Sequence, residues 1–280
     1  MKKRLLAVMA VLGACALTAC GNDDTGAALN NNGGAAAESD YDYIKNNGKM
    51  VIGITVYEPM NYYDTDGTTL IGFDTEFAAL LCSRLGVLPE FQVIDWDMKE
   101  TELKSKNIDC IWNGLTVTEE RRANMDFTDT YLINRQCVVI NSADSATYTD
   151  KASLASAMLS AESGSAGETA IVDDDILKSA SYTASNSQQD ALVALNAGNY
   201  DAIVIDYTMA KASVGSGDFA DLCIVEGIEL ANEEYAIGFR VGSDMTDKVN
   251  SIISEMKSDD TLKNIATKYD LLDLYEQAVK

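Results

Sequence analysis

Histidine does not occur among the 280 residues of this chain. Its absence removes Ser-His-Asp and Cys-His catalysis and most zinc sites, which need an imidazole as base or ligand. Bases are scarce as well: 21 Lys and Arg stand against 44 Asp and Glu. Setting aside Lys2, Lys3 and Arg4 at the N-terminus leaves 18 bases against 44 acids, a balance of −26. So acidic a surface repels nucleic acid and anionic lipid, although the charge of an internal site can differ. No Gly-Lys-Ser/Thr is present, so a phosphate-binding P-loop is not expected. The six cysteines include no CxxC pair. Cys82, Cys110, Cys137 and Cys223 each interrupt an apolar run, which suits buried free thiols, with a disulfide as the other reading.

Membrane-length apolar runs are missing too. Leu5 to Leu17 is too short to span a bilayer. Behind Lys2, Lys3 and Arg4 it has the form of an export signal. It closes on Leu17-Thr18-Ala19-Cys20, which resembles the bacterial lipobox; Leu12-Gly13-Ala14-Cys15 is a second match that leaves a shorter apolar region. Gly21 to Asp40 is rich in Asn, Ala, Gly and acids, with no aromatic residue and one Leu. Such a segment cannot bury enough apolar surface to fold, and as a random coil it would reach roughly 25 Å. The expectation is a signal peptide over 1–19, lipidation at Cys20 and a flexible tether over 20–40. Two acyl chains would hold the protein on a membrane where one would not.

Along the remaining chain, strand-like and helix-like patterns alternate. Strands are expected at Met50 to Val56, Pro89 to Asp95, Ile108 to Trp112, Gln136 to Ile140, Ala157 to Ala161, Ala202 to Ile205, Cys223 to Val225 and Tyr235 to Arg240. Phe73, Phe77, Leu80, Leu81 and Leu85 recur at helical spacing before Gly86, and Met98 to Lys106 is a second helix. Further helices are expected around 167–178, 187–197, 207–213, 244–257 and 259–268. The alternation predicts α/β architecture with largely parallel sheets. A short repeat, L-x-x-x-N-apolar-D-x-I, occurs at Leu103 to Ile111 and again at Leu195 to Ile203, which suggests two lobes of similar topology.

Three strand ends carry chemistry. After Ile108 to Trp112 comes Asn113-Gly114-Leu115-Thr116-Val117-Thr118-Glu119-Glu120-Arg121-Arg122. Arg121 offers a planar fork that matches a carboxylate, Thr116 a hydroxyl, and Gly114 close backbone approach. The plain alternative is a helix start with Thr118 as N-cap. The second copy of the repeat ends at Asp206. Ligands of open α/β sheets sit beyond the carboxyl ends of strands, so a carboxylate grip in one lobe and an acid in the other would suit a zwitterion. Glu162-Ser163-Gly164-Ser165-Ala166-Gly167-Glu168 is a strand end, a Gly/Ser turn and a helix start, which could present free amides to an anion or be an ordinary capped connection.

Taken together, Tyr43 to Lys280 resembles the polar amino-acid-binding class of extracellular solute-binding proteins, the receptors of ABC importers. Gly72-Phe73-Asp74-Thr75-Glu76-Phe77 is similar to that family's G-F-D/E-x-D/E element. Gly114 to Arg121 is similar to its G-x-T-x-T-x-x-R, Asp126-Phe127-Thr128 with Tyr131 to its continuation, Ser163 to Gly167 to its second-lobe turn, and Asp201 to Asp206 to its D-A-apolar-D strand. The resemblance implies a type II periplasmic-binding-protein-like fold: two α/β lobes, 41–135 with 233–280 and 136–232. Two strands near Asn134-Arg135 and Glu233-Glu234 would form a hinge, with the ligand in the interlobe cleft. It implies no cofactor, no metal and no catalytic residue, a lipid-anchored monomer outside the cell, and an ABC permease as partner.

The same resemblance assigns roles. Arg121 would pair with the ligand carboxylate. Thr116 and the Gly114 carbonyl would meet the ammonium, with Asp206 as counter-charge. Amides of Ser165, Ala166 and Gly167 would complete the carboxylate cradle, and Tyr57 and Trp96 would flank the side chain. Arg121 and Asp206 would both be satisfied only when the lobes close on the ligand. Thr55 stands where some members carry an Asp, Glu58 is a candidate polar contact in its place, and Asn113 and Glu162 also sit at side-chain-reading positions. The acids suit a cationic side chain; Asn113 and the aromatic walls suit a neutral one such as glutamine or cystine. Two other functions stay open. One is a dehydratase of cyclic amino acids with Glu162 as the acid. The other is a ligand sensor acting through a signalling partner, since no second domain or membrane helix follows before Lys280.

Overall fold

The computed structural model describes residues 39–228 and 230–280. The expected signal segment, Cys20 and the tether as far as residue 38 lie outside these residues. The expected tether extends to Asp40, but its last two residues belong to the folded body. Ser39 caps the helix Asp40–Asn47 by accepting from the Asp42 N–H, and its hydroxyl donates to Asp244 Oδ2 at 2.6 Å. Asp40 is buried and pairs with Arg240 at 2.9 Å. Composition alone could not show this, because Arg240 and Asp244 lie 200 residues along the chain.

The strands form two larger sheets and a small hairpin. The first sheet runs Leu88–Val93, Lys49–Ile54, Cys110–Ile111, Gly238–Arg240, Met125–Phe127. The second runs Leu222–Ile224, Leu132–Asn141, Ala202–Asp206, Met158–Glu162, Ser181–Ser185, with Asn232–Tyr235 also paired to Leu132–Asn141. Both sheets are mixed rather than largely parallel. In each, helix-connected strands run parallel. The antiparallel pairs come from Leu132–Asn141 and from the returning chain at Gly238–Arg240. The expected single strand Tyr235 to Arg240 is accordingly broken. Its first residue pairs toward the second sheet and its last three pair in the first, and a continuous strand cannot lie in both. At the break the Ala236 N–H reaches the Leu115 carbonyl at 3.0 Å and the Ile237 N–H reaches Thr128 Oγ1 at 3.0 Å, so no amide is stranded.

The repeat has a structural cause. In both copies the residue before the Asn turns left-handed, Lys106 at φ 60° and Gly198 at φ 76°. In both, the Asp carboxylate accepts a strand N–H of the parallel neighbour: Asp109 from Val51 at 2.9 Å and Asp201 from Met158 at 2.7 Å. The repeat therefore marks the same αβ step in both sheets.

Helix Phe73–Leu85 buries Phe73, Phe77, Leu81 and Leu85 against the first sheet. Leu80, expected on that face, is 43% exposed. Phe77 meets Trp112 edge to face at 4.7 Å between centroids. Elements that sequence reading left out include the strand Ser181–Ser185 and the helix Leu272–Ala278. Cys82, Cys110, Cys137 and Cys223 are free thiols, and burial pushes all four up in pKa. No helix among the described residues is long and apolar enough to cross a membrane.

Candidate functional site

The parallel strands of the two sheets end toward one another, and their ends carry the polar residues. Strand Cys110–Ile111 leads into Asn113 and Gly114, Ala202–Asp206 ends on Asp206, and Met158–Glu162 ends on Glu162. A small, nearly filled cleft lies among these ends. Ten of the eleven expected ligand residues wall it. Tyr57, Trp96, Asn113, Gly114, Thr116 and Arg121 come from one side; Glu162, Ser165, Ala166 and Asp206 come from the other. Gly167 is not in the wall. A Cβ there would lie 2.7 Å from the Val204 carbonyl oxygen, so this glycine lets its helix press onto strand Ala202–Asp206.

Gly114 is held from behind. It sits at φ +57°, where a Cβ would come within 2.8 Å of the Tyr57 ring. Its N–H donates to Asp74 Oδ2 at 2.7 Å, and the Tyr131 hydroxyl donates to the same oxygen at 3.0 Å. Burial pushes the Asp74 carboxyl up to about 7, while the bonds from Gly114 and Tyr131 pull it back. The first N–H groups of helix Phe73–Leu85 are not free for a ligand. Those of Phe73, Asp74 and Thr75 donate to the carbonyls of Pro59 and Met60. Gly72 permits that approach, because a Cβ there would lie 2.2 Å from the Met60 oxygen.

Arg121 is 7% exposed at the end of a short helix whose N-cap is Thr118, as the plain reading of this stretch expects. The plain reading and the site reading are therefore compatible. Its Nη1 donates to the Thr116 carbonyl at 2.8 Å, and its Nη2 crosses the cleft to the Gly164 carbonyl at 3.1 Å. Burial lowers its pKa, opposed by Glu233 and then Asp206.

Asp206 is gripped by amides. Asn134 Nδ2 at 2.6 Å and Gln136 Nε2 at 2.8 Å donate to Oδ1, and Gln188 Nε2 donates to Oδ2. The same two hinge-strand amides also donate to Glu233, at 2.9 and 3.0 Å, and Thr116 Oγ1 reaches Glu233 at 3.1 Å. Two carboxylates thus share donors in a buried space. Burial raises the Asp206 pKa, and burial with the Asp206 charge pushes Glu233 up to about 8. The expectation that Arg121 and Asp206 find partners only around a ligand is not met, since each already has partners within the protein.

The aromatic residues do more than stand as walls. The Tyr57 hydroxyl bonds Thr208, which joins the first lobe to the second, and, at 2.8 Å, the Tyr235 hydroxyl of its own lobe. Trp96 lies under the Lys99 ammonium, 4.9 Å from its ring centroid. Asn113 is used up: Oδ1 accepts from Thr55, and Nδ2 donates to the Thr55 carbonyl and to Asn61. Glu58 is exposed and does not line the cavity. At the Gly/Ser turn, Glu168 takes the Gly164 N–H and the Glu162 carbonyl takes that of Ser165. Of the expected cradle amides, Ser165 is therefore occupied.

The pattern of the bacterial extracellular solute-binding proteins, family 3, matches residues 50–271. The chain belongs to this family. It shares the family's type II periplasmic-binding fold. This family 3 chain is 27% identical over 270 residues to the arginine-binding extracellular protein ArtP of Bacillus subtilis, covering 96% of this chain and 98% of that protein. It is 28% identical over 239 residues to the L-cystine-binding protein TcyJ of Escherichia coli, covering 81% and 84%. Among solved structures, an ancestral arginine-binding protein bound to arginine superposes with a TM-score of 0.74 at 28% identity, covering 79% of this chain and 98% of that one.

Sequence reading of this solute-binding protein missed Gln188 in the wall and Asn134, Gln136, Glu233 and Lys99 around it. Two of these left a signal. Asn134 and Gln136 sit two apart on either side of Arg135 in strand Leu132–Asn141 and are each 1% exposed, so they mark an inward polar face. Lys99 left none. A lysine in a charged stretch is ordinarily a surface residue, yet this one is 4% exposed, and burial pushes its pKa down to about 8.

Proposed function

We propose that the protein is a lipid-anchored extracellular receptor that binds a polar α-amino acid and delivers it to the permease of an ABC importer. Arg121 takes the α-carboxylate with the free amides of the Gly/Ser turn. Asp206, with Glu233 behind it, balances the α-ammonium beside Thr116 and the Gly114 carbonyl. Tyr57 and Trp96 flank the side chain. The lobes divide near residues 135 and 233, where Glu233 pairs with Asn134 in register. The protein acts as a monomer, without cofactor or metal, and Cys20 carries the anchor.

One observation supports this reading above the others. A buried guanidinium and a buried, amide-held carboxylate wall the same cleft from opposite lobes. Buried charges are costly unless paired, and a zwitterion supplies both opposite charges in one molecule. The ligands of the relatives, arginine and cystine, belong to the same class. Isothermal titration of the full chain against the amino acids tests it: at least one polar L-amino acid binds at one site per chain. Arg121→Ala and Asp206→Ala each abolish binding while the chain stays folded. Failure of every amino acid to bind folded protein, or retained affinity in both variants, overturns the reading. Turnover of an arogenate-like cyclic amino acid would move the assignment to a dehydratase.

A further inference from the structure

The polar groups of the cavity differ in how far the protein itself has satisfied them. Asn113 spends its whole amide on Thr55 and Asn61. Asp206 accepts from three amides. Glu162 accepts from none. It is 3% exposed and lines the cavity, its Oε1 is buried without a partner, and no hydrogen bond or ion pair reaches its carboxylate among the described residues. A buried carboxyl group left in this state costs free energy that a donor must recover. The nearest protein cations are committed elsewhere: Lys99 Nζ donates to the Trp96 and Gly164 carbonyls, and Arg121 to those of Thr116 and Gly164.

The charges of the site point the same way. Three buried acids, Glu162, Asp206 and Glu233, stand beside two buried cations, Arg121 and Lys99. Burial favours the protonated form of Glu162, and the two protein cations oppose it. An α-amino acid backbone adds one charge of each sign; a ligand with a second cation supplies the charge that holds Glu162 ionised.

We infer that Glu162 reads the side chain of the ligand, and that the site selects an α-amino acid whose side chain ends in a guanidinium or ammonium group. The inference rests on the amino-acid-receptor reading and assigns its specificity. Glu162 is the open half of an ion pair, and the ligand brings the other half. A neutral polar side chain of the same length would leave the carboxylate either unpaired or protonated, and would bind more weakly.

L-Arginine and L-citrulline separate these cases, because they share shape and length and differ in charge. Titrated into the full chain, arginine is expected to bind about thirtyfold or more tighter than citrulline, the scale of one buried, hydrogen-bonded charge pair. In Glu162→Gln the ratio falls toward one, chiefly through loss of arginine affinity. Glu162→Leu gives the same collapse and serves if the glutamine variant does not fold. Citrulline, L-glutamine or L-cystine binding as tightly as arginine and L-lysine overturns the inference while leaving the receptor reading in place. So does a Glu162→Gln variant that keeps the full arginine preference. If no amino acid binds, the receptor reading falls and the specificity falls with it.

Discussion

The two walls of the cavity are built with opposite charge and opposite degrees of commitment. The wall from the first lobe carries Arg121, with the Lys99 ammonium behind Trp96, and both cations reach across to one acceptor, the Gly164 carbonyl. The wall from the second lobe carries Asp206 and Glu162. Asp206 lies beside the crossing strands and takes donors from Asn134 and Gln136 on that strand and from Gln188. Glu162 lies on the next strand and has none. The difference separates the two jobs of a selective receptor. The end of the cavity next to the hinge is preorganised, which suits a group common to every ligand. The end away from it is left open, which suits the group that distinguishes one ligand from another.

The largest effects should come from removing either fixed charge. Arg121→Ala and Asp206→Ala are each expected to weaken amino-acid binding by about a hundredfold or more in titration, in line with truncation of a buried charge pair. Their effects on the unliganded chain should differ. Asp206→Ala strands the Gln188 donor and leaves the Asn134 and Gln136 amides with Glu233 alone, so its unfolding midpoint drops. Arg121→Ala frees two carbonyls that water can reach at the cleft mouth, so its midpoint moves less. Equal midpoints in the two variants would contradict the asymmetry of the walls.

A pH experiment sharpens the comparison on the support side. Burial holds Asp74 up at about 7, and Glu162 and Glu233 up at about 8, all above the ordinary carboxylate values. An acid raised in the folded state binds protons there that it has already lost in the unfolded chain. Stability is therefore fully present below the ordinary carboxylate pKa and falls as pH rises toward 7 and 8. Each such group contributes a slope of about 1.4 kcal/mol per pH unit across its window. Urea unfolding between pH 5 and 7 should show a smaller slope in Asp74→Asn than in the parent chain. Parallel slopes would mean that the bonds from Gly114 and Tyr131 keep Asp74 ionised in the fold.

How much of this was legible in the sequence depended on whether a residue acts locally. The Gly114, Thr116, Arg121 element and Asp206 were readable because strand ends put chemistry where open sheets bind ligands. The repeat was readable because Asp109 and Asp201 perform one local task, accepting an N–H from a neighbouring parallel strand. Gly167 lies outside the wall because a glycine beside a helix start serves close packing as readily as ligand contact, and here a Cβ would lie 2.7 Å from the Val204 carbonyl oxygen. The break in Tyr235 to Arg240 was hidden because both halves have strand character and their partners lie in different sheets. Glu233 and Lys99 were missed for the same reason: Asn134 and Gln136, which hold Glu233, and Gly164, which holds Lys99, are far from them in sequence, and no local pattern announces these contacts.

The smallest expected effect tests whether Arg121 and Lys99 do the same work. Both donate to the Gly164 carbonyl, at 3.1 and 2.9 Å, but only Arg121 lines the cavity. In Lys99→Met the stem still packs on Trp96, the bond across the cleft is lost, and the Arg121 bond to the same oxygen remains. The expected result is a drop of about threefold to tenfold in affinity, one hydrogen bond's worth, carried mainly by faster dissociation. The unliganded chain should not be less stable, because a buried ammonium whose pKa is already pushed down to about 8 by burial leaves with its desolvation cost. If Lys99→Met instead weakens binding as much as Arg121→Ala, then holding Gly164 is the main task of both cations. The carboxylate would then be gripped by the backbone of the Gly/Ser turn, and the charge asymmetry of the two walls would govern closure rather than recognition.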